Sequence, residues 1–294
     1  MRSLRPLQIF LEVARLGSLR RAAEALEISQ PAISSVLSQL QRDLGAPLIE
    51  RVGRGIGLTA AGQTFALYGR RIMALIEEAQ GAVTSASAGG SKLRLAAVTT
   101  AAESFMPSLL RDFSLTHPEC EIELDVANRE AIWDRLTHWE VDLVVAGRPP
   151  AVPRCRTLAV RPNELVVVAQ TDPPAPPGPL EEMTWLLREA GSGTRGATEE
   201  LFALLGINPP RLTIGSNGAI RACVRAGLGV SLLSADAIGA DLTEARLRVL
   251  PTDATPMPRD WHLVTNADRV LTSAAHRFVA FVTAGGFFCS PQAM

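Results

Sequence analysis

The 294-residue chain has only four cysteines, and Cys120, Cys155, Cys223 and Cys289 stand far apart, with no CxxC pair and no histidine beside them. That spacing signals neither a zinc cluster nor a local redox switch, which leaves buried free thiols or a single redox-sensing thiol. Histidine is as sparse: His117, His138, His262 and His276 are scattered, with no serine, histidine and carboxylate arrangement and no metal-ligand spacing. An enzyme with catalytic residues, a metal or a cofactor is therefore not expected. No apolar run approaches the ~18 residues of a membrane span. The N-terminus also lacks the hydrophobic core and cleavage site of a signal peptide, so a cytoplasmic protein with no membrane partner is expected.

Net charge is almost absent, at -1, but it is unevenly placed. Residues 1–60 hold eight arginines against five acids, whereas residues 81–294 hold nineteen basic residues against twenty-three acidic ones. A weakly basic end on a weakly acidic body suits a small nucleic-acid module attached to a larger domain.

The basic end contains the stretch around which the chain is organised, SLRRAAEALEISQPAISSVLSQL from Ser18 to Leu40. Leu19, Ala22, Ala23 and Leu26 recur at helical spacing and define one buried face. Arg20, Arg21, Glu24 and Glu27 lie on the wet side. Ser29 is placed to cap a second helix, with Pro31 in its first turn where the missing amide proton costs nothing. That helix buries Ile33, Val36, Leu37 and Leu40 and turns out Gln30, Ser34, Ser35, Ser38 and Gln39, short polar groups able to approach base edges or phosphates in a major groove. Leu4, Leu7, Ile9, Phe10, Val13 and Leu16 form the stripe of a preceding helix closed by Gly17. After Gly45, APLIERVGRGIGLT reads as a two-stranded wing, with Arg51 and Arg54 placed for phosphate or minor-groove contact or, alternatively, forming a solvated charged hairpin.

Thr59 can cap a long helix running to about Ala86. Phe65, Ile72 and Ala79 lie seven apart, with Ile76 and Val83 following the last two by four, so one seam stays on one face and a partner helix is expected. SASAGGS, Ser85 to Ser91, is read as a joint. From Lys92 the pattern becomes βαβαβ: LRLAAV, a helix from Phe105 to His117, EIELDV, a helix from Arg129 to His138, and VDLVVAG. LVVVA then leads to the Pro-rich loop DPPAPPGP, and a second α/β unit follows through WLLREA, a helix at Thr194–Leu205, RLTIGS, a helix at Asn217–Ala226, GVSLLS, strands near Leu247 to Leu250 and Trp261 to Thr265, and a last helix from Leu271 to Ala284. Two such units imply two lobes with a cleft, where ligands meet the carboxyl ends of strands. Candidate contacts are Thr99 and Thr100 after the first strand, Asn128 and Arg129 after the second, and Gly147 and Arg148 after the third. In the second lobe they are Ser192, Gly193, Thr194 and Arg195, because GSGTR opens a helix and offers free amides and a guanidinium to an anion. The alternatives are a simple helix cap for Ser192 or Thr194 and a structural ion pair for Arg148. The loop has no Lys in GxxxxGK[ST] spacing and is no nucleotide-hydrolysing phosphate loop.

LRPLQIFLEVARLGSLRRAAEALEISQPAISSVLSQLQRDLGAPLIER, followed by GLTAAG, resembles the head of LysR-type transcriptional regulators, and the likeness extends over essentially the whole chain. The resemblance implies a winged helix-turn-helix DNA-binding domain (1–58), a linker and dimerisation helix with hinge (59–90), and a periplasmic-binding-protein-like α/β effector module of two Rossmann-like lobes (91–294). Lobe I would comprise about 91–163 and 266–290, lobe II about 164–265. It further implies double-stranded DNA, a second copy of the chain as dimer or dimer of dimers, RNA polymerase and a small-molecule effector as partners. Carried onto this chain, Arg20, Ser29, Gln30, Pro31, Ser34, Ser35, Ser38, Arg51 and Arg54 become the candidate DNA contacts. Many members have Arg at the position of Ser35 and a basic residue near Ser38, so this reading helix has fewer long cationic side chains and fewer phosphate contacts. Within the family, NREAIWDRL, DLVVAGRPP, GSNGAIRACVRAGLGVSLLS and REAGSGTR resemble the regulators of Calvin-cycle carbon-fixation operons, although Ala127 replaces their usual Gly before Asn128. That likeness implies a phosphorylated or carboxylate metabolite, for which Arg129, Arg148 and Arg195 are suitable partners. The alternatives are a regulator of an unrelated catabolic or transport operon, and a small-molecule receptor or enzyme without DNA function.

Overall fold

The computed structural model describes residues 4–53, 55–88, 91–151, 154–171 and 178–291. It divides into two compact units, Met1–Gln80 and Gly81–Met294. In the first, α1 (Arg5–Leu16), α2 (Leu19–Ala25) and α3 (Gln30–Leu44) precede the antiparallel pair β1 (Ile49–Val52) and β2 (Gly55–Leu58) and the greater part of the long helix α4 (Ala60–Ala88). Phe10, Val13, Ala22, Ile33, Leu37 and Leu48 are buried together, which fixes the three helices against the base of the wing. Gly17 ends α1 at φ 61 and its carbonyl accepts from the Ile56 N–H at 3.0 Å, tying the wing to the helix end. Thr59 caps α4 by accepting from the Gly62 N–H at 3.0 Å. Gly62 itself is required, because a Cβ there would lie 1.9 Å from the Leu48 carbonyl oxygen.

The second unit begins with β3 (Ser91–Val98), α5 (Thr99–Glu103), α6 (Met106–Thr116), β4 (Cys120–Ala127), α7 (Arg129–Thr137), β5 (Leu143–Ala146) and β6 (Cys155–Arg161). It continues through β7 (Glu164–Gln170), β8 (Trp185–Leu187), α8 (Gly193–Leu205), β9 (Arg211–Thr213), α9 (Asn217–Arg225), β10 (Ser231–Ser234), α10 (Ala235–Thr243), β11 (Leu247–Leu250) and β12 (Met257–Pro258). β13 (Trp261–Asn266) and α11 (Ser273–Ala284) follow. The first lobe is the sheet β4-β3-β5-β13-β6, parallel across β4, β3 and β5 and antiparallel at β13 and β6. Every residue of β5 is buried, as a central strand covered on both faces requires. Phe113 and Phe278 from α6 and α11 fill one face, and Ile132, Trp133 and Leu136 from α7 fill the other.

The second lobe is centred on β7, flanked by β10 and β11. β8 pairs in parallel with β9 and joins β10 through Leu186 N–H to the Val230 carbonyl at 2.8 Å. Trp185, fully buried, stacks edge-on against Phe202 at 4.8 Å between ring centroids.

Several expectations need correction. In the second lobe β7 runs antiparallel to both β10 and β11, so this sheet is mixed and not mostly parallel. β13 belongs to the first sheet from Trp261 onward, so the chain has already returned to lobe I five residues before the expected 266. α5, α10 and β6 were not anticipated; α5 is too short to show a period, and β6 alternates only in part. The linker helix continues to Ala88, past the joint expected from Ser85, and Ser91 already starts β3; Gly89 and Gly90 lie outside the described residues. Phe65 is not part of an outward seam, since it packs edge-on against Phe10 at 5.2 Å. The exposed apolar stripe of α4 is instead Tyr68, Ile72, Leu75 and Val83. Most of the Pro-rich loop, residues 172–177, is outside the described residues.

Candidate functional site

The turn between α2 and α3 is built by Glu27 at φ 53 and by Ser29, whose hydroxyl accepts from the Ala32 N–H at 3.3 Å. Such a cap is worth ~1 kcal/mol and fixes where α3 starts. With Ile33, Leu37 and Leu40 buried, Gln30, Pro31, Ser35 and Ser38 are exposed on the opposite side and Ser34 is half-buried at its edge. Arg20 projects from α2, exposed and 3.8 Å from Glu24. Arg51 is exposed on β1, and Arg54 lies outside the described residues. Gln41 was not anticipated: its Oε1 accepts from the amides of Leu48 and Ile49 at 2.8 and 3.3 Å, so α3 itself holds the wing.

In the second unit a cavity of about 480 Å³ opens between the lobes. Thr99, Thr100, Asn128, Arg129, Gly147 and Arg148 line it from the first lobe, and Ser192, Gly193 and Thr194 from the second. Thr99 and Thr100 occupy the first turn of α5, not a loop. Asn128 caps α7 by accepting from the Ala131 N–H at 3.0 Å, and the adjacent Arg129 donates to the Arg148 carbonyl of the same lobe at 2.9 Å. Ser192 holds the N-cap position of α8 without a side-chain cap bond, and Arg148 makes no ion pair among the described residues. The first amides of α8 remain without intrahelical acceptors, as in any helix start. Two glycines allow the lobes to approach: a Cβ on Gly191, at φ +84, would meet Glu130 at 3.0 Å, and one on Gly193 would meet Arg129 at 3.2 Å.

Arg195 is the exception among the sequence candidates. It is absent from the cavity wall, because its guanidinium is drawn to Glu199 at 2.9 Å and to the Arg188 carbonyl at 3.1 Å. Two other arginines, Arg188 and Arg259, take up the wall together with Asn163 and Trp261. Arg188 stands four residues ahead of Ser192 in REAGSGTR and was within reach of sequence reasoning; Arg259 and Trp261 arrive through the return to lobe I and carry no local signal. Arg188, 4 % exposed, holds Glu189 through bonds of 2.7 and 2.9 Å, and Arg259 pairs with Glu200. Burial raises the Glu189 carboxyl but hydrogen bonding and attraction from Arg188 outweigh it, leaving the group below its usual range. His262, on β13, is pushed down by burial and by Arg148, with Asp260 acting the other way. Thus, among the described residues, four arginines and no carboxylate line the wall. The arrangement suits an anion and offers no nucleophile paired with a base.

Residues 4–63 match the bacterial regulatory helix-turn-helix protein of the lysR family, and residues 87–286 match the LysR substrate binding domain. The chain belongs to the LysR family of transcriptional regulators. This LysR-type protein is 37 % identical to the HTH-type transcriptional regulator CbbR of Rhodospirillum rubrum, over 98 % of each chain. It is 36 % identical to the RuBisCO operon transcriptional regulator of Allochromatium vinosum, over 95 % of each. Among solved structures it resembles the regulatory domain of CcmR from Synechocystis PCC6803 in complex with 2-PG, at 32 % identity and a TM-score of 0.62, covering 66 % of this chain and 97 % of that one. Full-length CbnR complexed with its target DNA has the same fold, with a TM-score of 0.64 at 23 % identity over 96 % of this chain and 99 % of that one. As a LysR-type regulator the protein binds DNA, responds to a small-molecule effector and is not an enzyme. No helix among the described residues is long and apolar enough to cross a membrane.

Proposed function

We propose that the interlobe cleft binds a small anionic metabolite, phosphorylated or carboxylate, and that its occupancy sets how the protein acts on the promoter of a metabolic operon such as one for carbon fixation. The observation carrying this is a cavity of about 480 Å³ whose described lining residues include four arginines and no carboxylate, a volume fit for a metabolite. Relatives named for CbbR and the RuBisCO operon support the operon class, and the 2-PG complex of the CcmR domain supports the ligand class. Thr99, Thr100, Asn128, Arg129, Gly147, Arg148, Ser192, Gly193 and Thr194 are the effector contacts from the sequence reading, joined by Arg188 and Arg259 and without Arg195.

At the other end, Gln30, Pro31, Ser34, Ser35 and Ser38 read the major groove, Ser29 fixes the start of the reading helix, and Arg20, Arg51 and Arg54 hold the backbone. The exposed stripe Tyr68, Ile72, Leu75 and Val83 pairs α4 with that of a second copy, setting the spacing of two heads. RNA polymerase is the downstream partner. Calorimetric titration of the full-length protein with phosphorylated sugars, phosphorylated acids, simple carboxylates and reduced nicotinamide cofactor tests the cleft: an anionic metabolite binds, and Arg148→Ala weakens it at least about tenfold. Binding that is unchanged in Arg148→Ala and Arg129→Ala overturns the assignment.

A further inference from the structure

The cleft has a chemical bias beyond its positive charge, because several of the oxygen acceptors on its wall are already in use. Asn128 Oδ1 accepts from the Ala131 N–H at 3.0 Å and Asn163 Oδ1 from the Ser234 hydroxyl at 2.6 Å. The Arg148 carbonyl accepts from Arg129 at 2.9 Å. Thr100 Oγ1 accepts from Asn217 Nδ2 at 2.7 Å, across the lobe boundary from the first residue of α9. Asn217 is 1 % exposed and Thr100 is 9 % exposed, so water does not compete for this bond. A threonine hydroxyl has a single proton; with Asn217 donating to its oxygen, that proton is left to point into the cavity. The hydroxyls of Thr99, Ser192 and Thr194 take either role and turn into donors beside an anion. Charge agrees with this, since Arg188 and Arg259 are each matched by a carboxylate while Arg129 and Arg148 form no ion pair among the described residues, leaving two uncompensated positive charges on the wall.

We propose that the cleft selects the fully deprotonated, dianionic form of its ligand, and that Asn217 is the positioning residue that commits the Thr100 hydroxyl to donating. The inference rests on reading the cleft as an anion site and sharpens it to one protonation state. A singly protonated phosphate brings an O–H to a wall where Thr100 donates and the Asn128, Asn163 and Arg148 oxygens already accept, and a poorly made hydrogen bond costs affinity. Sulfate brings no such proton. The titratable groups around the cavity are Glu130 on α7, Glu189 beside Arg188, Glu200 on α8 behind Arg259, and Asp260 and His262 at the return to lobe I; a probe whose own charge is constant controls for all of them.

The test titrates the full-length protein with methyl phosphate and with sulfate, by calorimetry and by the fluorescence of Trp261 on the cavity wall, from about pH 5 to about pH 8, a range spanning the second ionisation of a phosphate monoester near 6. The expected result is an affinity ratio of methyl phosphate to sulfate that is flat above the ester's ionisation and falls about tenfold per pH unit below it. Thr100→Val and Asn217→Ala should each weaken methyl phosphate severalfold, and the double variant no more than either alone. A ratio constant across the range overturns dianion selection while leaving the anion site intact. Failure of both probes to bind at any pH overturns the anion reading and this inference with it. If Asn217→Ala costs as much in the Thr100→Val background as in the native chain, Asn217 does not act through Thr100.

Discussion

The two sides of the cleft hold the same kind of residue in opposite states. On the lobe I side Arg129 and Arg148 form no ion pair among the described residues, whereas Arg188 and Arg259 on the opposite side are each held by a glutamate. A guanidinium already matched by a carboxylate has spent most of its attraction inside the protein and serves chiefly to shape the wall. An unmatched one keeps its attraction for whatever enters. Counting arginines therefore overstates the ligand's charge, and the partners of each arginine decide what it does.

The largest effects should come from the unmatched side. Arg148→Ala or Arg129→Ala removes a charge-assisted hydrogen bond worth ~1.5–3 kcal/mol, at least a tenfold loss of anion affinity by calorimetry, with thermal stability nearly unchanged for the exposed Arg148. On the matched side the order reverses. Arg188→Met strips the partner from the half-buried Glu189 and should lower stability by ~1–3 kcal/mol in urea unfolding, with a smaller change in affinity. Adding Glu189→Gln should recover part of that stability; no recovery would mean that the pair is not what Arg188 is held for.

Smaller still is the acid response of His262. Its folded value lies below the ordinary histidine 6.5, so as pH falls through that value the unfolded chain takes up a proton that the folded chain refuses. Stability should decline with falling pH between the ordinary and the depressed value, and denaturation of His262→Gln should show a shallower decline. The DNA-binding unit offers a parallel contrast. Arg51→Ala should weaken binding to all duplexes and flatten its salt dependence, by about one counterion in the slope. Ser34→Ala should instead reduce discrimination between operator and unrelated DNA, and equal loss on both would contradict base reading by Ser34.

The DNA-binding unit was legible because its logic is local. Ser29, Pro31 and the spacing of Ile33, Leu37 and Leu40 lie within one short stretch, and each states its structural role by residue type. The cleft wall was legible only where a strand or helix end supplied it: Asn128 and Arg129 at the start of α7 and Ser192 to Thr194 at the start of α8 all line the cavity. Arg195 adjoins the same helix start, but one residue further its side chain leaves the cleft and meets Glu199 one turn on, a competition that loop pattern alone does not reveal. Arg259 follows β12, which pairs with β7, and Trp261 begins β13, which pairs with β5 and β6, long-range events with no trace in neighbouring residues. The antiparallel pairing of β7 was hidden for the same reason, since buried strands of either sense read as short apolar runs.

The most direct test of the account is a footprint of the full-length protein on the DNA upstream of its own gene, at fixed salt, with and without a panel of phosphorylated acids and sugars. The expected result is a footprint whose length or bend changes with a small dianionic phosphate ester and stays fixed in Arg148→Ala. A footprint indifferent to every anion in the panel, or one that responds equally in Arg148→Ala, would contradict it.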